Sequence, residues 1–124
     1  MQKKEKPFDI KERTFDFGTQ IIKLCQILEI RSGGIRLLSS QLFRSGTSIG
    51  ANIEEAYGTT TDPDFISKFS IALKEARETS FWLRQIIATE VLPKEEVAEL
   101  IDECEEIKKI VASIIIKKKQ NVRK

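Results

Sequence analysis

Residues 41–84, QLFRSGTSIGANIEEAYGTTTDPDFISKFSIALKEARETSFWLR, decide the fold. When residues are placed about 100° apart, as in a helix, the first part shows an apolar stripe with polar residues along its flank. The stripe contains Leu38, Leu42, Ile49, Ile53 and Ala56. The flank contains Gln41, Arg44, Ser48, Asn52 and Glu55. This pattern indicates a helical scaffold that assembles into an oligomer, and it does not indicate a catalysed reaction.

The second part of the same stretch predicts another helix, which opens at Asp62 and Pro63. Asp62 is a favourable N-cap, and proline is favoured at the first helical position because its missing N–H has no helical partner there. Gly58 is a favourable stop for the preceding helix. Residues at three- and four-residue spacing then form a seam over several turns: Phe65, Phe69, Ala72, Ala76, Thr79, Leu83 and Ile87.

The flanking sequence adds one amphipathic helix on each side. Connections near Ser32–Gly34, Gly58–Asp62 and Glu90–Leu92 separate helices predicted at about 9–29, 35–57, 63–89 and 93–118. No segment has the alternation of a strand. We therefore predict an all-α single domain over residues 1–124. Its helices should form an up-down-up-down antiparallel four-helix bundle with a basic C-terminal tail at 117–124.

The last two helices carry more apolar residues than the core of one bundle requires. A core-facing helix needs roughly three apolar positions in seven. We expect the excess to form a subunit interface in a homo-oligomer; the alternative is burial within one thick monomer core. The additional residues are Ile66, Ile71, Leu73, Trp82, Ile86, Ile110 and Ile114.

Two glycines, Gly46 and Gly50, lie one turn apart within the second helix. Each costs up to about 1 kcal/mol relative to alanine inside a helix, so a compensating contact is expected. They lie on the side opposite Arg44 and Glu55, where they would let a neighbouring helix approach closely. A local kink is the alternative.

The polar flank predicts a network of side chains. Buried polar groups without partners cost on the order of 1 to 3 kcal/mol each, so they should satisfy one another. We interpret the set as fixing helix register and subunit geometry rather than as a binding groove, because no pair of nucleophile and base accompanies it. The set is Arg44, Ser45, Ser48, Asn52, Glu55 and Glu75, with Lys68 as a further partner.

The composition argues against an enzyme and against a bound metal or cofactor. The chain contains no histidine, which removes the commonest general base and every histidine-ligated metal site. Cys25 and Cys104 are isolated on apolar helix faces and should be core thiols; a disulfide between them is the alternative. The acidic residues at 99–106 predict a solvated face, and no glycine-rich phosphate loop is present.

Basic residues are concentrated at the two ends of the chain. Residues 1–13 contain five Lys or Arg against three Asp or Glu, residues 117–124 contain five against none, and the middle contains eleven against sixteen. Basic ends favour an anionic partner, RNA or DNA; a solubilising tail is the alternative, and no aromatic residues are interleaved with the C-terminal lysines. The candidate phosphate contacts are Lys3, Lys4, Lys6, Lys117, Lys118, Lys119, Arg123 and Lys124.

Length and hydropathy predict a cytoplasmic protein with no membrane partner. A chain of 124 residues suits one domain. The N-terminal residues lack the apolar run of a signal peptide. The longest uncharged stretch near the C-terminus, residues 110–116, is far shorter than the roughly 20 residues needed to cross a bilayer.

Two sequences within the opening stretch carry a family resemblance. QLFRSGTSIGANIEEAYG followed by DFISKFSIALKEARETSFWL resembles the small four-helix bundle proteins encoded within intervening sequences of bacterial 23S ribosomal RNA genes. The run RS-x-x-SI-x-x-NI-x-E at 44–55 and the sequence ALKEARET at 72–79 are its most specific parts. One departure is Ala56, where many relatives have glycine.

This resemblance implies an all-helical subunit that assembles into a ring-like homopentamer with a central channel. It also implies kinship with the accessory variability protein of diversity-generating retroelements, a basic pentamer that binds nucleic acid and a reverse transcriptase. The acidic body of the present chain departs from that relative. Two hypotheses follow: a non-catalytic oligomeric scaffold that binds RNA or DNA, or a protein–protein adaptor with no nucleic-acid role.

Overall fold

A computed structural model describes residues 9–31 and 33–122, and this part of the chain contains four α-helices and no strand. The helices are α1, Ile10–Leu28; α2, Gly34–Ala56; α3, Asp62–Ala88; and α4, Lys94–Val122. The all-α class predicted from the sequence is therefore confirmed. α4 continues to Val122, beyond the predicted end at about residue 118 and into the segment predicted as a basic tail. Within the described ranges, no helix is both long enough and apolar enough to cross a bilayer.

The starts of α1 and α3 follow local capping chemistry. Asp9 caps α1, and its carboxylate accepts a hydrogen bond from the N–H of Lys11 at 2.8 Å. Thr61 caps α3 in place of the predicted Asp62, and its hydroxyl accepts from the N–H of Asp64 at 3.3 Å. Thr61 takes this position because its backbone is extended, as an N-cap requires, whereas Asp62 is already helical.

One hydrophobic core is shared by all four helices. α2 packs between α1 and α3, α3 packs between α2 and α4, and the contact between α1 and α4 is the smallest. This packing is compatible with a bundle. Full burial of a large apolar side chain contributes about 1.5 to 3 kcal/mol. Such residues come from every helix: Phe17, Ile21, Leu28, Leu42, Ile49, Ile53, Phe69, Leu83, Ile86, Val97, Ile107 and Val111.

The additional apolar residues of α3 and α4 lie mainly against this core. Ile86 is fully buried, and only Ile71 of the set is exposed. The thick monomer core that the sequence analysis kept as an alternative therefore accounts for most of them. The partly buried members that pack on the core are Ile66, Leu73, Trp82, Ile110 and Ile114.

Cys25 and Cys104 are free, buried thiols, so the alternative of a disulfide between them is wrong. The Cys25 Sγ donates to the carbonyl of Ser39 at 3.5 Å, and the Cys104 Sγ donates to the carbonyl of Ala76 at 3.2 Å. Burial raises the pKa of Cys104 to about 12 and also raises the pKa of Cys25. Both residues therefore act as small apolar groups of the core.

Candidate nucleic-acid interface

The predicted phosphate contacts divide into those that the structure describes and those outside it. Lys117 and Lys119 are exposed on the last turns of α4, and Lys118 is half-buried beside them. The remaining candidates lie outside the described residues: Lys3, Lys4, Lys6, Arg123 and Lys124. Of the described candidates, Lys118 is the one whose contacts define the surroundings of the site.

Lys118 contacts an aromatic cluster formed by the end of α2 and the start of α3. Its Nζ lies 4.7 Å from the centroid of the Phe65 ring and 3.4 Å from Oδ1 of Asp62. Phe65 stacks on Phe69 with ring centroids 4.4 Å apart, and Tyr57 meets Phe65 edge to face at 5.3 Å. Tyr57 remains 48% exposed, so part of its side chain faces solvent.

The start of α1 reaches the same cluster from another direction. The Lys11 Nζ lies 5.3 Å from the centroid of the Tyr57 ring and 3.9 Å from the carboxylate of Glu54. Partial burial, together with the nearby charge of Asp9, raises the pKa of the Tyr57 hydroxyl. Contacts therefore continue from α1 to α4 through the aromatic cluster. We call this group the aromatic–lysine end: Lys11, Tyr57, Phe65, Phe69 and Lys118.

The aromatic–lysine end combines two groups that favour nucleic acid. Ammonium groups contact phosphates, and exposed aromatic rings stack on unpaired bases. No aromatic residue is interleaved with the C-terminal lysines in the sequence; the fold places the buried Phe65 against Lys118, and the exposed Tyr57 packs on Phe65. The sequence does contain a signal for this arrangement: the helix stop at Gly58 and the helix start at Asp62 place Tyr57 and Phe65 at neighbouring helix ends.

No group of three or more Cys, Asp or Glu side chains in the described part of the chain is arranged to hold a metal ion. The acidic run at 99–106 was predicted to be a solvated face. Glu103 and Glu106 instead bind Arg13 of α1, at 2.8 and 2.6 Å. These acids therefore help to join α4 to α1.

The polar flank of α2 forms hydrogen bonds with α3 at two neighbouring residues, Arg44 and Ser45. The guanidinium of Arg44 donates to Glu75 at 3.2 Å and also to Glu78. The buried Thr79 hydroxyl donates to the Ser45 hydroxyl at 2.9 Å. Glu78 and Thr79 are partners that the sequence analysis missed, because Thr79 was assigned to the apolar seam and Glu78 to no contact.

The rest of the polar flank does not join this group. Glu55 forms an ion pair with Lys68 at 3.0 Å, nearer the other end of the helices. Ser48 donates to the carbonyl of Arg44 at 2.6 Å, and Asn52 donates to the carbonyl of Ser48 at 2.8 Å. The structure therefore divides the predicted network into contacts between helices and bonds within α2.

Gly46 and Gly50 lie where α2 meets α1. A Cβ built on Gly46 would lie 2.7 Å from Cγ2 of Ile21. A Cβ built on Gly50 would lie 3.1 Å from the carbonyl oxygen of Thr14. Both glycines therefore occupy positions where α1 leaves little room for a side chain.

Comparison with known proteins places the chain in a family. The model of the 23S rRNA-intervening sequence protein family matches residues 6–113. The chain belongs to this family. The resemblance of residues 41–84 to the family is thus confirmed.

A solved structure of a similar protein supports the same assignment. It is the 1.70 Å crystal structure of a protein of unknown function from the S23 ribosomal protein family of Bacteroides thetaiotaomicron VPI-5482. The two sequences are 40% identical over 86% of this chain and 98% of that chain, with a TM-score of 0.80. No curated protein matches.

Proposed function

We propose that this family member is a non-catalytic helical scaffold that self-associates and binds RNA or DNA at the aromatic–lysine end. The observation that supports nucleic-acid binding is the series of contacts from Lys11 through Tyr57 and Phe65 to Lys118. Because of these contacts, the chain enters α1 and leaves α4 at the same end. The described lysines of this end, Lys11, Lys117, Lys118 and Lys119, would therefore attract a polyanion jointly.

We also propose that the helices run up-down-up-down in an antiparallel bundle. The contacts between consecutive helices support this topology, because residues near the start of one helix contact residues near the end of the next. The pairs are Lys11 with Glu54, Cys25 with Ser39, Glu55 with Lys68, Arg44 with Glu75, Asp62 with Lys118, and Ser80 with Glu105.

Self-association is supported by an uncharged surface, the α1/α2 apolar face, formed by Phe15, Thr19, Ile22, Phe43 and Thr47. Phe15 is 72% exposed, and Ile22 and Phe43 are exposed beside it. The Thr19 and Thr47 hydroxyls donate to carbonyls of their own helices, those of Phe15 at 3.2 Å and Phe43 at 2.7 Å. These hydroxyls thus need no bond to water, and the face can be buried at low cost.

A second copy of the chain is the occupant that we propose for this face. The homopentamer that the family resemblance implies would bury it against a different surface of the neighbouring copy, whereas a dimer would bury it against itself. The same face supports the second candidate function, a protein–protein adaptor, since an apolar face also fits a helix of another protein.

Light scattering of the purified protein tests self-association. The wild type should have the mass of an oligomer at micromolar concentration. The double variant Phe15→Glu, Phe43→Glu should shift toward the monomer mass, because the charges would be buried in the interface. Ile27→Glu with Leu37→Glu is the matched control, with exposed residues of the same helices outside the face. A monomeric wild type would favour the adaptor.

Anisotropy of labelled RNA and DNA tests nucleic-acid binding. Affinity should fall as salt rises, because bound phosphates release counterions. Lys117→Gln with Lys119→Gln should weaken binding, whereas the control Lys23→Gln with Lys94→Gln, exposed lysines outside the aromatic–lysine end, should not. Binding that is absent, or independent of salt, would contradict this part of the proposal and leave the scaffold intact.

A further inference from the structure

A second cationic surface lies along the outer side of α3. Lys74, Arg77, Phe81 and Arg84 recur at intervals of three, four and three residues, which places them on one side of the helix. All four are exposed. We call them the α3 stripe; at 1.5 Å per residue it extends about 15 Å along the helix.

The cations of the α3 stripe are not held in ion pairs by described carboxylates. Lys74 and Arg77 form no ion pair with any residue in the ranges 9–31 and 33–122. The Arg84 guanidinium carbon lies 6.0 Å from the centroid of the Phe81 ring. This contact orients the guanidinium over the ring, and no carboxylate in the described part of the chain forms an ion pair with it.

Two acids beside the stripe are already paired. Glu105 on α4 accepts hydrogen bonds from Lys108 at 3.0 and 3.1 Å and from the Ser80 hydroxyl at 2.8 Å. These bonds, together with the nearby charges of Lys108 and Arg84, hold the pKa of Glu105 below its usual value. Glu78 on α3 is bound by Arg44. Within the described residues, neither carboxylate forms an ion pair with a cation of the stripe.

Phe81 adds an aromatic ring between the cations. The ring is 43% exposed and packs edge to face on Trp82, with centroids 5.0 Å apart, which fixes its orientation. An exposed ring with cations on both sides along a helix suits a strand whose bases are unpaired, because every base can stack while the cations contact phosphates. Bases inside a duplex cannot reach such a ring.

We propose that the α3 stripe binds single-stranded nucleic acid, with Phe81 stacked on a base and Lys74, Arg77 and Arg84 on phosphates. The inference rests on the nucleic-acid binding proposed above. It adds a contact region on the acidic body of the chain, separate from the basic ends.

Anisotropy of a labelled oligouridylate, with an RNA duplex as a second probe, tests the stripe in the full chain. Arg77→Gln with Arg84→Gln should weaken oligouridylate binding about tenfold at low salt. The salt slope should fall by about 1.4, since each single-strand phosphate contact contributes about 0.7. Arg31→Gln with Arg36→Gln is the matched control, with two exposed arginines elsewhere, and should stay within about twofold of the wild type.

The ring has its own test. Phe81→Leu should weaken oligouridylate binding about fivefold or more and leave duplex binding unchanged, and Phe81→Tyr should retain both, because tyrosine keeps the ring. Unchanged circular dichroism of each variant would show that folding is intact.

The outcomes separate this inference from the proposed function. If the wild type binds and only the Lys117→Gln, Lys119→Gln variant loses affinity, the stripe is not a contact and the proposed function stands. If the wild type binds no oligonucleotide at low salt, both fail. If the stripe variants lose binding to polyglutamate but keep oligouridylate, the stripe fits an acidic protein and the inference is wrong.

Discussion

The two sides of α2 hold their neighbours in different ways. Toward α1, Gly46 and Gly50 leave space that Ile21 and the backbone of Thr14 occupy. Toward α3, side chains form hydrogen bonds, of which the buried one joins Ser45 to the next helix. Contact on the first side is limited by volume, and contact on the second depends on polar partners. One helix should therefore be sensitive to added atoms on one side and to lost polar atoms on the other.

Gly46→Val should have the largest effect on stability. The added Cβ alone would lie 2.7 and 2.9 Å from the two γ carbons of Ile21, so the helices would have to separate. Overpacking costs about 1 to 3 kcal/mol, and we expect a loss of about 3 kcal/mol in the free energy of unfolding, because valine adds two further methyl groups. Urea unfolding followed by circular dichroism measures it.

Gly34→Ala is the control for that variant. A Cβ on Gly34 meets nothing within 4 Å, so the change should stabilise α2 by up to about 1 kcal/mol or leave it unchanged. A Gly46→Val protein as stable as the wild type would show that volume does not limit the α1 side.

Thr79→Val should have an intermediate effect on the other side of α2. The Thr79 hydroxyl lies 2.9 Å from the Ser45 hydroxyl and 2.8 Å from the carbonyl oxygen of Glu75, and its one proton is donated to one of them at a time; valine keeps the shape without the hydroxyl. We expect a loss of about 1 to 2 kcal/mol, because the buried Ser45 hydroxyl loses a partner. In a Ser45→Ala background the loss should be smaller, and an equal loss in both would contradict the pairing.

Arg44→Gln should have the smallest effect. Arg44 is about half exposed, and its ion pairs with Glu75 and Glu78 are accessible to solvent. We expect a loss of about 0.5 to 1 kcal/mol at low salt that shrinks at high salt, because solvent-exposed pairs are screened. Unfolding at two salt concentrations measures it, with Arg31→Gln as the control. A loss as large as that of Thr79→Val at low salt, which shrinks at high salt, would show that charge contributes as much as the hydroxyl pair to the α3 side.

The helices could be predicted from the sequence because apolar spacing and capping are local properties. The start of α3 differs by one residue, since Thr61 and Asp62 are both competent caps and only backbone geometry distinguishes them. α4 ends at Val122 rather than at about residue 118, because the basic residues at its end continue the helix, and lysine is a good helix former.

The candidate site could not be predicted in the same way. The approach of Lys118 to Phe65 depends on the lengths of α3 and α4 and on their packing, which no local pattern encodes. Likewise, Phe15 is exposed while Phe17 is buried, and that choice depends on how α1 is rotated against the glycines of α2. Tertiary packing therefore decides the surfaces on which the proposed functions depend.

The chain's single tryptophan lies beside the α3 stripe. Within the described residues, the Nε1–H of Trp82 is enclosed without an acceptor. Intrinsic fluorescence is therefore a built-in optical probe for α3. Any loosening of that helix would hydrate the indole and shift its emission to longer wavelength, without a label and without altering a residue.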